Sequence, residues 1–144
     1  MKRAILLLLF LMMFINVSHA QENQRWLNVY KDDAGEFFLD KETVTIYTYE
    51  KNAYIGCWLR LKFNDKSLVQ RIYFNTETLR YLRERCLVYD KKGTIVEEDN
   101  YSKNGWVDSI PESKMEYALK STAVVVVNNL DKWDIKADTK RPHE

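Results

Sequence analysis

The chain has 144 residues with 22 basic and 21 acidic side chains, and 13% of its residues are aromatic. This near-neutral charge gives no electrostatic basis for binding nucleic acid or an anionic membrane, and the aromatic content excludes a wholly disordered chain. The length suits a single domain with one modest hydrophobic core.

The N-terminus has the three-part pattern of a secretory signal peptide. Lys2 and Arg3 form a short positive region, residues 4–17 are almost wholly apolar, and the small residues Ser18 and Ala20 precede a cut after Ala20. The apolar run is shorter than the roughly 20 residues that a membrane-spanning helix needs. An uncleaved N-terminal anchor is the alternative interpretation. No later segment is long and apolar enough to span a membrane.

We therefore expect residues 1–20 to be a cleaved signal peptide, residues 21–135 a single domain and residues 136–144 a polar C-terminal tail. The signal peptide contains Lys2 and Arg3 and no acidic residue, so the mature chain has 20 basic and 21 acidic residues. Its expected location is extracytoplasmic: secreted, periplasmic or associated with the cell surface.

Segments that alternate apolar and polar residues, or that are rich in β-branched and aromatic residues, predict strands. They are residues 26–30, 36–40, 43–49, 53–63, 68–74, 79–89 and 94–97. Turn residues separate them, and Asp90-Lys91-Lys92-Gly93 is a strong hairpin signal. Strands at this even spacing, joined by short turns, predict an antiparallel meander.

A capping box predicts a C-terminal helix, because the Ser113 hydroxyl can accept from the Glu116 amide while the Glu116 side chain reaches back. Apolar residues then recur at helical spacing. They are Met115, Ala118, Leu119, Thr122, Ala123, Val126, Val127 and Leu130. We predict a helix from about Lys114 to about Asn128. The alternative is a short helix followed by a strand through the valines.

The predicted fold class is α+β: an antiparallel β-sheet meander of about six strands with a C-terminal α-helix packed on one face. The longest strand shows how the two faces of the sheet differ. Cys57, Leu59 and Leu61 lie on one side of it, and Trp58 and Arg60 lie on the other. One side must cover the core, and the other can be open to solvent.

The order of these signals resembles the surface-adhesin protein E-like family of small bacterial secreted or lipid-anchored domains. The matching segments are Trp26, Phe37-Phe38-Leu39-Asp40, Trp58, Tyr89-Asp90-Lys91-Lys92-Gly93, Trp106, and Ile110-Pro111-Glu112-Ser113 with Glu116 behind it. The resemblance implies a bent antiparallel sheet with a C-terminal helix against it. For the protein that gives the family its name, it also implies adhesion to host extracellular proteins.

The family often joins its helix to its sheet by a disulfide, whose cysteines would fall near Thr76 and Ala123 of this chain. Neither position is a cysteine here, and the two cysteines present are Cys57 and Cys86. In a simple meander their strands are separated by one strand, which places them roughly 9.6 Å apart. A disulfide needs Cα atoms about 5.5–6 Å apart.

Export favours the opposite conclusion, because two cysteines in an exported chain usually pair. The alternatives of a Cys57–Cys86 disulfide and of two small buried thiols therefore both stay open at this stage.

The mature sequence gives little support for catalysis. His19 lies in the signal peptide, so His143 is the one histidine left, and it lies in the predicted polar tail. The usual base of a Ser or Cys nucleophile and any multi-histidine metal site are therefore missing. There is no glycine-rich phosphate loop and no CxxC motif. We predict no enzyme activity, no metal and no cofactor.

Aromatic and basic side chains on the strands are the candidate binding residues, since such residues commonly anchor protein interfaces. They are Trp58, Arg60, Tyr73, Tyr81, Arg83 and Arg85, with Tyr47 and Tyr49 as further members of the same open surface. Alternation predicts that Arg83 and Arg85 share a face. The alternative is that the aromatic residues bury against the helix and the arginines form an ordinary solvated face.

These features predict an exported, non-enzymatic, adhesin-like protein that binds an unidentified extracellular or envelope protein. A periplasmic or envelope accessory protein, such as an inhibitor or an assembly factor, is the first alternative with the same fold. A protein that binds a small ligand is the second.

Overall fold

A computed structural model describes residues 25–100, 105–137 and 142. Within them the elements are β1 Trp26–Asp32, β2 Gly35–Asp40, β3 Thr45–Tyr49, β4 Asn52–Phe63, β5 Lys66–Asn75, β6 Tyr81–Tyr89, β7 Ile95–Asp99, α1 Lys114–Val127 and β8 Asp134–Lys136, with short 3₁₀ helices at Lys41–Thr43 and Leu130–Lys132. The predicted signal peptide and its cut after Ala20 lie outside the described residues, as does His143.

The eight described strands form one sheet, and the order β1-β2-β4-β5-β6-β7 is antiparallel throughout. Strand β4 is long enough for two partners along one edge: β2 pairs with its C-terminal half and β3 with its N-terminal half. Strand β8 extends the sheet by pairing in parallel with β3. The predicted α+β fold is confirmed, with eight strands instead of about six because of this shared edge and of β8.

Helix α1 packs on one face of this sheet, which we call the helix face. Ala118, Leu119, Thr122 and Val126 are the buried residues of the helix. They meet a core of buried strand residues that includes Leu39, Ile46, Ile55, Cys57, Leu59, Ile72 and Phe74. The four valines complete the helix instead of forming a strand, so the helix prediction is confirmed and its alternative is wrong.

Both ends of α1 are closed by side chains. Ser113 Oγ accepts from the Glu116 amide at 3.1 Å, as predicted, and Glu116 Oε2 accepts from the Glu112 amide at 2.6 Å. At the other end, Trp133 Nε1 donates to the Val126 carbonyl at 2.9 Å. Asn129 Nδ2 donates to the Val125 carbonyl, also at 2.9 Å. The turn after the helix therefore ties its last carbonyls to the segment that leads into β8.

Candidate functional site

The face of the sheet turned away from α1, which we call the far face, contains part of the predicted binding surface. Residues directly opposite each other in an antiparallel pair share a face. Arg60 lies opposite Phe38, and Trp58 lies opposite Arg71. Cys57 and Leu59, which alternate with them along β4, belong to the core beneath α1, so Trp58 and Arg60 project together on the far face, as predicted, and both are partly exposed.

A cavity of about 290 Å³ opens on the far face across β1, β2, β4, β5 and β6, which are neighbours in the sheet in that order. Trp26, Trp58 and Arg60 line it, with Val69, Leu87 and Asp40 among the other residues of its wall. The guanidinium of Arg60 lies 4.0 Å from the centre of the Trp26 ring. This cation–π contact holds the guanidinium in one orientation and keeps its charge beside an apolar surface.

Asp40 is buried in the wall of this cavity, with 1% of its surface exposed. Arg25 donates to both carboxylate oxygens, with Nε–Oδ1 at 2.9 Å and Nη2–Oδ2 at 2.6 Å. The Glu42 amide donates to Oδ1 at 3.2 Å. The hydrogen bond to Asp40 is the main cause that raises the pKa of Arg25 above its ordinary value. This bidentate pair compensates a buried carboxylate that would otherwise be costly.

Thr43 connects the Asp40 turn to the central strands. Its hydroxyl accepts from the Trp58 amide at 3.1 Å and donates to the Asp40 carbonyl at 3.1 Å. Its carbonyl accepts from Arg71 Nη1, also at 3.1 Å. These bonds lie where β2 and β3 separate along the edge of β4, so they fill the gap between the two strands and fix the backbone that carries Trp58.

Aromatic side chains cover the part of the far face that lies outside this cavity, where β3 pairs with the N-terminal half of β4. The rings of Tyr47 and Tyr73 lie 5.9 Å apart, and both pack over Gly56. Tyr54 meets Trp106 edge to face at 5.5 Å. Tyr73 is buried, and burial raises the pKa of its hydroxyl. Tyr73 is therefore on the predicted face but contributes to a small core more than to an open surface.

The remaining predicted residues do not join this cavity. Tyr81 lies opposite Phe74 and packs against the core of the helix face, so its placement beside Trp58 is wrong. The β5–β6 register shifts between Arg71 and Ile72. Arg83 consequently lies opposite the buried Ile72 on the helix face, whereas Arg85 lies opposite Arg71 on the far face.

This β-bulge overturns the prediction that Arg83 and Arg85 share a face, because one extra residue reverses the alternation. Arg85 instead forms an exposed ion pair with Glu98 of β7, at 2.6 Å between Nη2 and Oε1.

Cys57 and Cys86 are both free and buried, and β5 separates their strands. This is the unbonded arrangement that a simple meander predicts. Burial raises the pKa of Cys57 to about 12 and also raises that of Cys86. Thiols protonated in this way are poor nucleophiles.

The structure adds Trp26 and the Arg25–Asp40 pair to the predicted binding residues. The sequence marked Trp26 only as the start of the first predicted strand and as part of the family resemblance. Asp40 could have been noticed in the sequence as an acidic residue directly after the apolar run Phe37-Phe38-Leu39. Its pairing with Arg25 depends on the register of β1 and β2, which places Trp26 opposite Asp40.

Within residues 25–100, 105–137 and 142, no group of three or more His, Cys, Asp or Glu side chains could hold a metal ion. No helix in that part of the chain has the length and apolar character needed to cross a membrane. In comparisons with known proteins, no family model, no curated protein and no solved structure matches the chain.

Proposed function

We propose that this chain is an exported, non-enzymatic binding protein that contacts a partner protein through the far-face cavity. The observation that carries the proposal is the convergence of Trp26, Trp58 and Arg60 on one cavity of about 290 Å³. Tryptophan and arginine are the residue types that most often dominate binding energy at interfaces. The resemblance to the surface-adhesin protein E-like family supports an extracellular partner.

The chemistry of the cavity favours an acidic group next to an apolar one on the partner. The lining contains two cations, Arg25 and Arg60, and one carboxylate, Asp40, so its net charge is positive. Val69 and Leu87 give the cavity an apolar floor. A partner side chain that places a carboxylate near Arg60 and an apolar stem on this floor would match both features.

Export is the second part of the proposal and is supported by the N-terminal pattern of Lys2, Arg3, an apolar run and Ala20. Arg25 lies five residues after the predicted cut and binds Asp40. The ordered domain would thus begin shortly after the signal peptide ends. A periplasmic accessory protein with the same site is the alternative, and location distinguishes the two.

Protease shaving of intact cells that carry a tagged form of the protein tests the location, with lysed cells as control. We expect cleavage on intact cells if the protein acts as a surface adhesin. A protein that resists until the envelope is broken, and is absent from the medium, would contradict the adhesin interpretation and direct the search to periplasmic partners.

A binding screen against extracellular proteins tests the site itself. The double variant Trp58→Ala/Arg60→Ala should lose binding, since it removes the aromatic and cationic anchors of the cavity. The matched control is Tyr117→Ala/Lys120→Ala, which removes an aromatic and a cationic side chain from α1, on the other side of the sheet. Equal loss in both variants would contradict a role of the far face.

A further inference from the structure

A second and larger cavity, of about 550 Å³, lies at the C-terminal end of α1 and shares one lining residue, Arg25, with the far-face cavity. Leu27, Val125 and Trp133 give it apolar walls, and its lining contains four charged residues: Arg25, Lys41, Glu42 and Lys132. Its volume lies within the roughly 300–1,000 Å³ typical of small-ligand sites. Apart from Arg25, the binding function proposed above uses none of its lining residues.

The apolar walls are held in place by the fold. Val125 and Trp133 are partly buried and pack against the core of the helix face. Leu27 lies opposite the buried Leu39 in the β1–β2 pair. The hydrogen bond from Trp133 Nε1 to the Val126 carbonyl fixes the plane of the indole ring. The cavity therefore presents a preformed apolar surface, which lowers the ordering cost of binding.

The charges around the cavity favour one negative charge on an occupant. Lys132 Nζ donates to Asn129 Oδ1 at 2.8 Å, and among the described residues no carboxylate lies within 4 Å of Lys41 or Lys132. Glu42 already lies 3.5 Å from Arg25. The two lysines attract an anion, whereas Glu42 disfavours a second negative charge on it.

The partial negative charge at the C-terminal end of α1 repels such an anion less than an uncapped helix end would. Three consecutive carbonyls of the last turn already accept hydrogen bonds. The Val124 carbonyl accepts from the Asn128 amide at 3.0 Å, and those of Val125 and Val126 accept from the Asn129 and Trp133 side chains. These donors reduce the negative charge that the helix end presents beside the cavity.

We propose that this cavity binds a small apolar molecule that carries a single carboxylate. The apolar body lies against Leu27, Val125 and Trp133, and the carboxylate lies between Lys41 and Lys132. Apart from Arg25, which pairs with Asp40, this site shares no lining residue with the Trp58–Arg60 cavity.

The test is NMR titration of the purified protein with octanoate, followed at the indole N–H signal of Trp133. That signal is assigned by its loss in Trp133→Phe. We expect a saturable shift with octanoate and a much weaker one with octylammonium, which has the same chain and the opposite charge. Lys41→Gln and Lys132→Gln should each weaken binding roughly threefold, and the double variant about tenfold.

The matched control is Lys62→Gln/Lys91→Gln, which neutralises two lysines outside this cavity and should leave octanoate binding unchanged. Two results would overturn the proposal: no shift of the Trp133 signal at millimolar octanoate, or equal shifts with octanoate and octylammonium. Retained affinity in Lys41→Gln/Lys132→Gln would also overturn it. None of these results bears on the Trp58–Arg60 site, because that cavity contains neither lysine.

Discussion

On the helix face, Leu39, Leu59 and Ile72 are fully buried beneath α1, whereas on the far face Trp58 and Arg60, their neighbours in the same sheet, remain partly exposed. The same strands therefore present two surfaces of different chemical character. The helix face holds the fold together by apolar burial, which is the main favourable term in folding. The far face keeps aromatic and charged groups accessible, as a binding surface requires.

The far face itself has a closed half and an open half, which differ in how their aromatic side chains pack. Around Gly56, the rings of Tyr47 and Tyr73 close over the sheet. Around Trp26, Trp58 and Arg60, the sheet stays open and forms a cavity. Substitutions on the helix face, in the closed half and in the open half should therefore lower the free energy of unfolding by decreasing amounts.

The largest effect is expected for Leu119→Ala, on the helix face. Leu119 is fully buried, so the truncation leaves a cavity and should lower the free energy of unfolding by about 3 kcal/mol. Urea denaturation measures it. Val124→Ala, a truncation on the exposed side of the same helix, is the control and should change stability by less than about 0.5 kcal/mol. Similar values for the two variants would contradict the packing of α1.

Gly56→Ala should have the next largest effect. A Cβ at this position would lie 2.8 Å from Tyr73 Cε1 and 3.1 Å from Tyr47 Cε2, so both rings must move. We expect a loss of about 2 kcal/mol in urea denaturation. Ser67→Ala on β5, a strand position without these rings, is the control. A neutral Gly56→Ala would show that the closed half of the far face is loosely packed.

Ser113→Ala should lower the free energy of unfolding by about 1 kcal/mol, because the Glu116 amide loses the acceptor that caps α1. Thermal denaturation followed by circular dichroism measures the change. Ser113→Asn keeps a side-chain oxygen at the cap and should stay close to the parent protein. If both variants lose stability equally, capping is not the cause.

Arg60→Ala should have a smaller effect on stability, about 0.5–1 kcal/mol, from the loss of the stack on Trp26. Its effect on partner binding should be much larger. The comparison of unfolding and binding for this one variant separates the two roles of the sheet. A stability loss as large as that of Leu119→Ala would place Arg60 in the core and not in a binding surface.

The smallest effect concerns the pH dependence of α1. The hydrogen bond from Lys120 and that from the Glu112 amide lower the pKa of Glu116 below its ordinary value of 4.5. Because the folded-state pKa is depressed, the stabilisation is present above pH 4.5 and is lost as the pH falls through the folded-state pKa. Glu116→Gln should therefore have a lower Tm than the parent at pH 7, and the difference in Tm should shrink as the pH falls below 4.5. A difference that persists unchanged at pH 3 would exclude this cause.

Much of the fold could be predicted because strand alternation and the Ser113 capping box are local signals. The positions of β4 and α1 follow from them directly. Strand β8 could not be predicted, because three exposed residues, Asp134–Lys136, join the sheet only through the edge that β3 offers.

The candidate site was partly predictable for the same reason. Trp58 and Arg60 share a face because side chains two positions apart in a regular strand, without a bulge, point to the same side. The separation of Arg83 from Arg85 depends on a bulge opposite Arg71 and Ile72, and nothing in the sequence alone marks it. The stack of Arg60 on Trp26 depends on the pairing of three strands, so no local pattern could reveal it.

The most direct test of the central claim is photocrosslinking in living cells with benzoylphenylalanine in place of Trp58. The same photoreactive residue in place of Tyr117, an exposed aromatic on α1, is the control. We predict a discrete crosslinked product from position 58 and none from position 117. Crosslinking from position 117 alone, or equally from both positions, would contradict the assignment of the far face as the binding surface.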